Sequence, residues 1–303
     1  MQCAALFIDL SKAFDTVNHS LLLRRLENIG CDSNSLKWFH NYLSDRQQYV
    51  RAGKVKSAPL PITNGVPQGS ILGPVFFTIY INDIAKEVKN CNIHLYADDT
   101  ILYCWADSMT LAFNNLQLAF NVLQNALFNL KLVLNSDKTK CMAFTRANSI
   151  DFTNLNICTL NGASLERVQH YKYLGIWIDD KFTFKFHVEN LTKCLRAKLG
   201  LLYRHKSCFP LFCRKRIVEA VLLSVFDYGD IIYRHAAATT LKPLDAIYHS
   251  ALRFITGNPY NTHHCTLYTT VGWPSLSVRR DHHWFLYIYK ALLKKSPPYR
   301  GRH

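Results

Sequence analysis

The apolar positions of the chain change period several times, and each change predicts an element. Residues 4–10, AALFIDL, form a short continuous apolar run broken at Asp9, the pattern of a strand covered on both faces. LLLRRLENI (21–29) has helical spacing, with Ser20 as its expected N-cap and Gly30 as its stop. Ser33 is the expected cap of a second helix that aligns Leu36, Phe39 and Leu43 on one face. Residues 48–58 predict a short hairpin turning at Gly53. PITNGVPQGSILGPVFF (61–77) is too rich in glycine and proline for a regular element, so an irregular loop is expected before an amphipathic helix near 71–88. Residues 92–104 alternate, predicting two strands with Ala97-Asp98-Asp99 at the corner between them.

The longest helix is expected from Ser108 to Leu134, where Leu116, Phe120, Leu123, Leu127, Leu130 and Leu134 recur in steps of four and three. Asn135-Ser136-Asp137 ends it, and KCMAFTR (140–146) reads as the next strand. YKYLGIWIDD (171–180) and FTFKF (182–186) predict a hairpin or paired strands. Beyond 187, Leu191, Leu195, Leu199 and Leu202 form a helical stripe among Lys193, Arg196, Lys198, Arg204 and Lys206, and Pro210 separates it from a helix over 213–228. The sum is an α+β fold. A mainly antiparallel sheet packed on helices is expected over 1–184, followed by a mostly helical region over 185–303, with no internal repeat.

Composition narrows the class. With 303 residues, 49% apolar and 19% charged, the chain is rich enough in core residues to fold. It has no apolar run of membrane-spanning length and no secretory leader pattern, so an intracellular protein without a membrane partner is expected. Its ten cysteines contain no C-x-x-C pair and are expected to be reduced. The net charge of +15 is uneven: residues 1–184 hold 17 Lys/Arg against 15 Asp/Glu, whereas 185–303 hold 19 against 6. That basic half suits a polyanion such as nucleic acid, and a solvated basic surface remains the alternative.

The corner at 97–99 raises an electrostatic question. Adjacent carboxylates repel, and each resists burial unless a cation neutralises it. If the strand ending at Asp9 neighbours the hairpin, three carboxylates converge, a donor set suited to hard divalent cations in phosphoryl or nucleotidyl transfer. An Asp-Asp pair in a turn is also ordinary turn chemistry, and spacing alone leaves both readings open.

Five segments decide more than spacing can. DLSKAFDTVNH (9–19), GVPQGSILGPVFF (65–77), YADDT (96–100), LNSDKTKCMAF (134–144) and KYLGIWID (172–179) stand in the order and approximate spacing of the A to E blocks of reverse transcriptases. Their wording most resembles that of non-LTR, LINE-type retrotransposons. The resemblance implies a right-hand polymerase palm followed by a thumb-like helical region, and an RNA-directed DNA polymerase that transfers a nucleotide from a dNTP to a primer 3′-hydroxyl. It also implies two Mg²⁺ ions, with Mn²⁺ as an alternative, bound by Asp9, Asp98 and Asp99, of which Asp99 is the more peripheral of the pair. Expected partners are an RNA template (element RNA), a DNA primer or target DNA, and dNTPs; nucleus and cytoplasm are the expected locations.

Other roles follow by the same resemblance. Phe14 stands where the family carries an aromatic gate against a ribose 2′-hydroxyl, although a Phe in such a run is otherwise core. Lys12 is expected near the triphosphate, and Gln68 and Gly69, with Gly65 and Pro67, in the loop against the new base pair. Asp15 fits its block with no role assigned. Lys138 is positioned like a lysine that protonates pyrophosphate, with an exposed turn lysine as the alternative. Tyr173, Leu174 and Gly175 match the primer grip. His263-His264-Cys265 and His282-His283 do not have the spacing of a standard zinc site. Because Asp9 comes so early, the resemblance also leads us to expect a chain lacking the family's fingers blocks and endonuclease, with a catalytically inactive nucleic-acid-binding remnant as the competing reading.

Overall fold

The computed structural model describes residues 2–145, 153 and 155–295, which divide into two compact units, 1–174 and 175–303. In the first, the run at 4–8 becomes the centre of a sheet. Strand β1 (Gln2–Ile8) is followed by helices α1 (His19–Asn28) and α2 (Ser33–Leu43) and by four two-residue strands, β2 (Gln47–Gln48), β3 (Arg51–Ala52), β4 (Val55–Lys56) and β5 (Leu60–Pro61). Next come α3 (Leu72–Ile81), α4 (Ile84–Glu87), β6 (Asn92–Tyr96), β7 (Asp99–Ala106), α5 (Met109–Asn129), β8 (Lys140–Phe144), β9 (Glu166–Arg167) and β10 (His170–Tyr173). The main sheet has the order β6-β7-β1-β8-β9. It is antiparallel except for β9 on β8, and β1 is bonded on both sides, from Gln2↔Ala106 to Ile8↔Thr100 with β7 and from Cys3↔Phe144 to Phe7↔Lys140 with β8.

Strand alternation sorts β1 into two faces. Ala4, Leu6 and Ile8 join the large core with Phe76, Phe77 and Tyr80 of α3 and Leu116, Phe120, Leu123 and Leu127 of α5. Ala5 and Phe7 face the other way with Met142, covered by Tyr171 and Tyr173, and the Phe7 and Tyr171 rings stack at 4.1 Å. Both faces are therefore closed, as the unbroken apolar run requires.

Several boundaries differ from expectation. The caps of α1 and α2 are Asn18 and Asp32, each just ahead of the serine expected: Asn18 Oδ1 accepts from Leu21 N at 3.1 Å, and Asp32 Oδ1 from Asn34 N at 2.9 Å. Helix 71–88 is instead two helices, parted at Asn82-Asp83, where Asp83 pairs with Arg25 at 2.5 Å and Lys86 at 2.8 Å. Helix α5 ends before Leu130, because Lys131 turns left-handed (φ 56) and the next amides fold back, Lys131 N to Phe128 O at 2.9 Å and Leu132 N to Leu127 O at 2.9 Å. Leu134 is apolar because it bridges to Leu10, not because it continues the helix.

The second unit contains β11 (Ile176–Asp179), α6 (Lys185–Arg204), α7 (Leu211–Val218), α8 (Ser224–Asp227), α9 (Asp230–Tyr233), α10 (Ala238–Thr256), α11 (His264–Val271) and α12 (Leu276–Leu292). A π turn at Glu219–Leu223 joins α7 to α8. Val188, Leu195, Leu199 and Leu202 of α6 share a core with Leu244, Tyr248 and Leu252 of α10. Ile176 belongs to this core, so the division falls ahead of position 184. FTFKF is not a strand: Phe182 and Phe184 are left-handed (φ 52 and 56), and the buried Asp179 carboxylate accepts from Lys181 N at 3.2 Å, Thr183 N at 2.9 Å and Phe184 N at 2.6 Å. That side chain shapes the turn into α6. Among the described residues no helix is long and apolar enough to cross a membrane.

Candidate active site

Register brings the three carboxylates together. Ile8 pairs with Thr100, so the next position along β1 and β7 sets Asp9 beside Asp99. Tyr96 pairs with Asp99, which leaves Ala97 and Asp98 as a two-residue loop, with Ala97 left-handed at φ 54. Among the described residues none of Asp9, Asp98 and Asp99 has an ion-pair partner. Burial, then the charges of Asp98 and Asp9, push the Asp99 carboxyl above the usual range. Tyr171 and Tyr173 are raised too, by burial first and then by Asp99, with Asp9 adding to Tyr171. Three oxygen-bearing anions without a counter-charge fit hard divalent cations such as Mg²⁺.

The end of β1 is fastened from the far side of the sheet. Asp9 N donates to Thr139 Oγ1 at 3.2 Å, and Asn135 N donates to the Asp9 carbonyl at 2.9 Å. Lys138 N donates to Asn135 Oδ1 at 3.3 Å, so its backbone belongs to this clasp while its residue is exposed. Thr139 is wholly buried, and nothing in its spacing marked it.

A second group of residues surrounds a cavity of about 630 Å³ that includes Lys12, Asp15, Arg46, Asn64 and Gln68 in its lining. The 65–68 loop is locked onto the first block through its backbone: Gly65 N donates to Val17 O at 2.7 Å and Val66 N to Phe14 O at 2.8 Å. His19 Nε2 donates to Gly65 O at 2.7 Å. Gly65 (φ 88) lies so close that an added Cβ would sit 2.7 Å from Asp15 O. Gln68 Nε2 donates to Asp15 Oδ1 at 2.8 Å, which gives the unassigned Asp15 a structural partner. Lys12 is left-handed (φ 48), and the Phe14 ring packs on the buried Phe77 at 4.6 Å. Gly69 is exposed with φ 81. Arg46 escaped the sequence reading because a lone arginine after a helix has no pattern.

Tyr173 packs beside Phe7 at 6.1 Å and precedes a turn in which Leu174 and Gly175 are both left-handed (φ 45 and 84). Gly175 begins the second unit, where a Cβ on it would lie 3.0 Å from Tyr228 Cε1.

Residues 1–178 match the family model described as "Reverse transcriptase (RNA-dependent DNA polymerase)". This chain belongs to the reverse transcriptase family. The match runs through the A to D blocks and reaches Ile178 in the E block. Among its relatives, the "RNA-directed DNA polymerase from mobile element jockey" of Drosophila melanogaster is 30% identical over 264 residues, 84% of this chain and 28% of that protein. The "Probable RNA-directed DNA polymerase from transposon BS" of the same species is 28% identical over 276 residues, 88% of this chain and 30% of that protein. The relatives are polymerases of LINE-type mobile elements, in keeping with the wording of the blocks, and this reverse-transcriptase chain spans about three-tenths of their length. Telomerase from Candida tropicalis, solved with a fragment of telomeric RNA, overlays 89% of this chain and 46% of its own at a TM-score of 0.44 and 15% identity.

Proposed function

We propose that this chain carries out RNA-directed DNA synthesis, adding dNTPs to a primer 3′-hydroxyl on an RNA template. The observation that carries the reading is the uncompensated trio Asp9, Asp98 and Asp99 at the adjoining ends of β1 and β7. Asp9, Asp98 and Asp99 would hold two divalent ions, Mg²⁺ or Mn²⁺, which when bound lower the pKa of the primer hydroxyl and neutralise triphosphate charge. The protein's own contribution is positioning. Lys12 and Arg46 offer cations to the triphosphate in the cavity that Gln68 borders. Lys138 is proposed as proton donor to the departing pyrophosphate, and Tyr173, Leu174 and Gly175 as the grip on the primer end. Element RNA would be the template, and a DNA primer or target DNA the acceptor.

Extension of a primer on an RNA template by the purified chain in Mg²⁺, with Asp98→Ala as background, tests this. Incorporation no greater than that background would sink the reading; hybrid binding without incorporation would favour a non-catalytic nucleic-acid binder.

Two residues carry finer expectations. Phe14, held by Phe77, would meet the 2′-hydroxyl of a ribonucleotide, so Phe14→Val is expected to raise the rNTP-to-dNTP incorporation ratio by about 10- to 100-fold, read from single-nucleotide addition. Asp15→Ala frees the Gln68 amide, and the lost charge-assisted hydrogen bond at an exposed position (~1–2 kcal/mol) is expected to raise KM for dNTP about tenfold in steady-state extension.

A further inference from the structure

Helix α11 begins where the chain passes from extended to helical backbone. His263, at the capping position, is extended (φ −63, ψ 143), and His264 and Cys265 are the first helical residues. Consecutive side chains point apart within either regular form, but across this change of backbone they converge. One ligand atom from each of His263, His264 and Cys265 lies within 4.8 Å of the other two. Their adjacency in sequence hides this, because a standard zinc site spaces its ligands along the chain.

A second helix supports the cluster. The His249 ring of α10 stacks on His264 at 5.2 Å and 16°, and the His263 ring lies 4.1 Å from His264. His249 Nε2 and the Tyr268 hydroxyl are 2.6 Å apart, which joins α10 to α11 beside the three residues. Burial first, then the neighbouring His264, holds the His249 imidazole below its ordinary value, so this ring is neutral at pH 7 and does not repel a cation. The Asp245 carboxylate, one turn earlier on α10, acts on both His249 and Tyr268, and Arg253 opposes it at His249. His263 Nδ1 accepts from the Cys265 amide at 3.4 Å, a long bond, so its lone pair already faces the helix start and a metal has a weak competitor to displace.

Among the described residues one other group has comparable spacing, Asp227, Asp230 and His283, and its ligand atoms are occupied. Arg279 donates to both Asp227 oxygens at 2.5 and 2.6 Å, and His283 Nδ1 lies 2.6 Å from Asp230 Oδ2. At His263, His264 and Cys265, one sulfur and two imidazole nitrogens suit a borderline cation such as Zn²⁺ and not a hard one such as Mg²⁺. We propose that His263, His264 and Cys265 form a Zn²⁺ site, with water in the fourth tetrahedral position. As the Zn–S bond forms, the Cys265 thiol releases its proton to solvent, and the imidazoles bind as neutral ligands. The ion fastens the end of the 257–263 connector to α11, a connector otherwise held through Arg253, whose Nη2 donates to Thr262 O at 3.2 Å.

Titration of the reduced, metal-free full chain with Co²⁺, a spectroscopic stand-in for Zn²⁺, tests the site. Tetrahedral d–d bands are expected in the visible, with a thiolate charge-transfer band in the near ultraviolet that saturates at one equivalent, is erased by Zn²⁺ and is unmoved by millimolar Mg²⁺. Cys265→Ser is expected to abolish the charge-transfer band, and His263→Ala and His264→Ala each to weaken Co²⁺ binding at least tenfold. His249→Ala, which removes the ring behind His264, is expected to weaken it about tenfold. Cys208→Ser, an exposed thiol elsewhere in the unit, is expected to change nothing. All three ligands are exposed, so their replacement leaves the core intact, and the far-ultraviolet circular dichroism of the metal-free variants should match the wild type. Absence of a charge-transfer band, its survival in Cys265→Ser, or its equal loss in Cys208→Ser would overturn the proposal. The titration contains neither nucleic acid nor dNTP, so its failure leaves the polymerase reading standing, and failure of primer extension leaves the metal site standing.

Discussion

Asp98→Asn is expected to lower dNTP incorporation by about 10³-fold or more, the equivalent of ~4 kcal/mol of lost transition-state stabilisation, if Asp98 holds a divalent ion as proposed. The same change is expected to stabilise the metal-free protein. Asp98 and Asp9 both help to raise the Asp99 carboxyl, so removing one charge relieves the repulsion on another. The direction of the pH effect follows. A carboxyl raised in the folded state contributes stability that is fully present below its unfolded value, near 3.8, and lost as pH rises through the folded value. Metal-free wild type therefore loses this contribution on going to neutral pH, and Asp98→Asn loses less of it. Its thermal midpoint should exceed that of the wild type at pH 7, with the gap narrowing toward pH 4. Mg²⁺ should reverse the order, because ligand binding stabilises the form that holds it, by about 2.7 kcal/mol at 100-fold saturation. A variant equally inactive but no more stable without metal would contradict the electrostatic account of this corner.

Gly65→Ala is the second substitution with a large expected effect. Its φ of 88 disfavours any side chain, and the new Cβ would lie 2.7 Å from Asp15 O and 2.8 Å from Asp15 Cα, backbone atoms that cannot swing aside. Left-handed strain of about 1–2 kcal/mol and overpacking of about 1–3 kcal/mol together predict a loss of roughly 2–5 kcal/mol in denaturant unfolding. Gly53→Ala separates the two causes. It shares the left-handed backbone (φ 62) but has nothing within 4 Å of its Cβ position, so only the strain should appear. Similar losses in the two variants would show that the close approach of the loop to the first block contributes nothing.

What could be read from the chain before its fold, and what could not, follows from the range of each interaction. The covered strand, the carboxylate corner and most of α5 were legible because their signals are local periodicities of burial. The five blocks then supplied candidate functional residues that no periodicity reveals. Endings were harder. Leu130 and Leu134 kept the helical rhythm because both pack on the core, Leu130 at the end of the helix and Leu134 after the chain has turned at Lys131, a residue with no turn propensity of its own. The phenylalanines of FTFKF looked like a strand, but one buried carboxylate, Asp179, gathers three amides and imposes a turn. Thr139 and the Asp15–Gln68 bond act across 130 and 53 residues, and no local window contains both partners.

The central place of β1 has a kinetic side. Its amides and carbonyls are engaged by β7 and by β8, so the amides are expected to exchange with solvent deuterium only through opening of the sheet, whereas among the described residues β6 has a partner on one side alone. Asp9 thus follows the strand expected to exchange slowest in the main sheet, and Asp98 lies in the hairpin whose outer strand is expected to open more readily. If the three carboxylates hold ions as proposed, the wall on β1 is the firmer and the hairpin wall the more compliant, so the donor oxygens would close around ions of slightly different radius without disturbing the strand that anchors them.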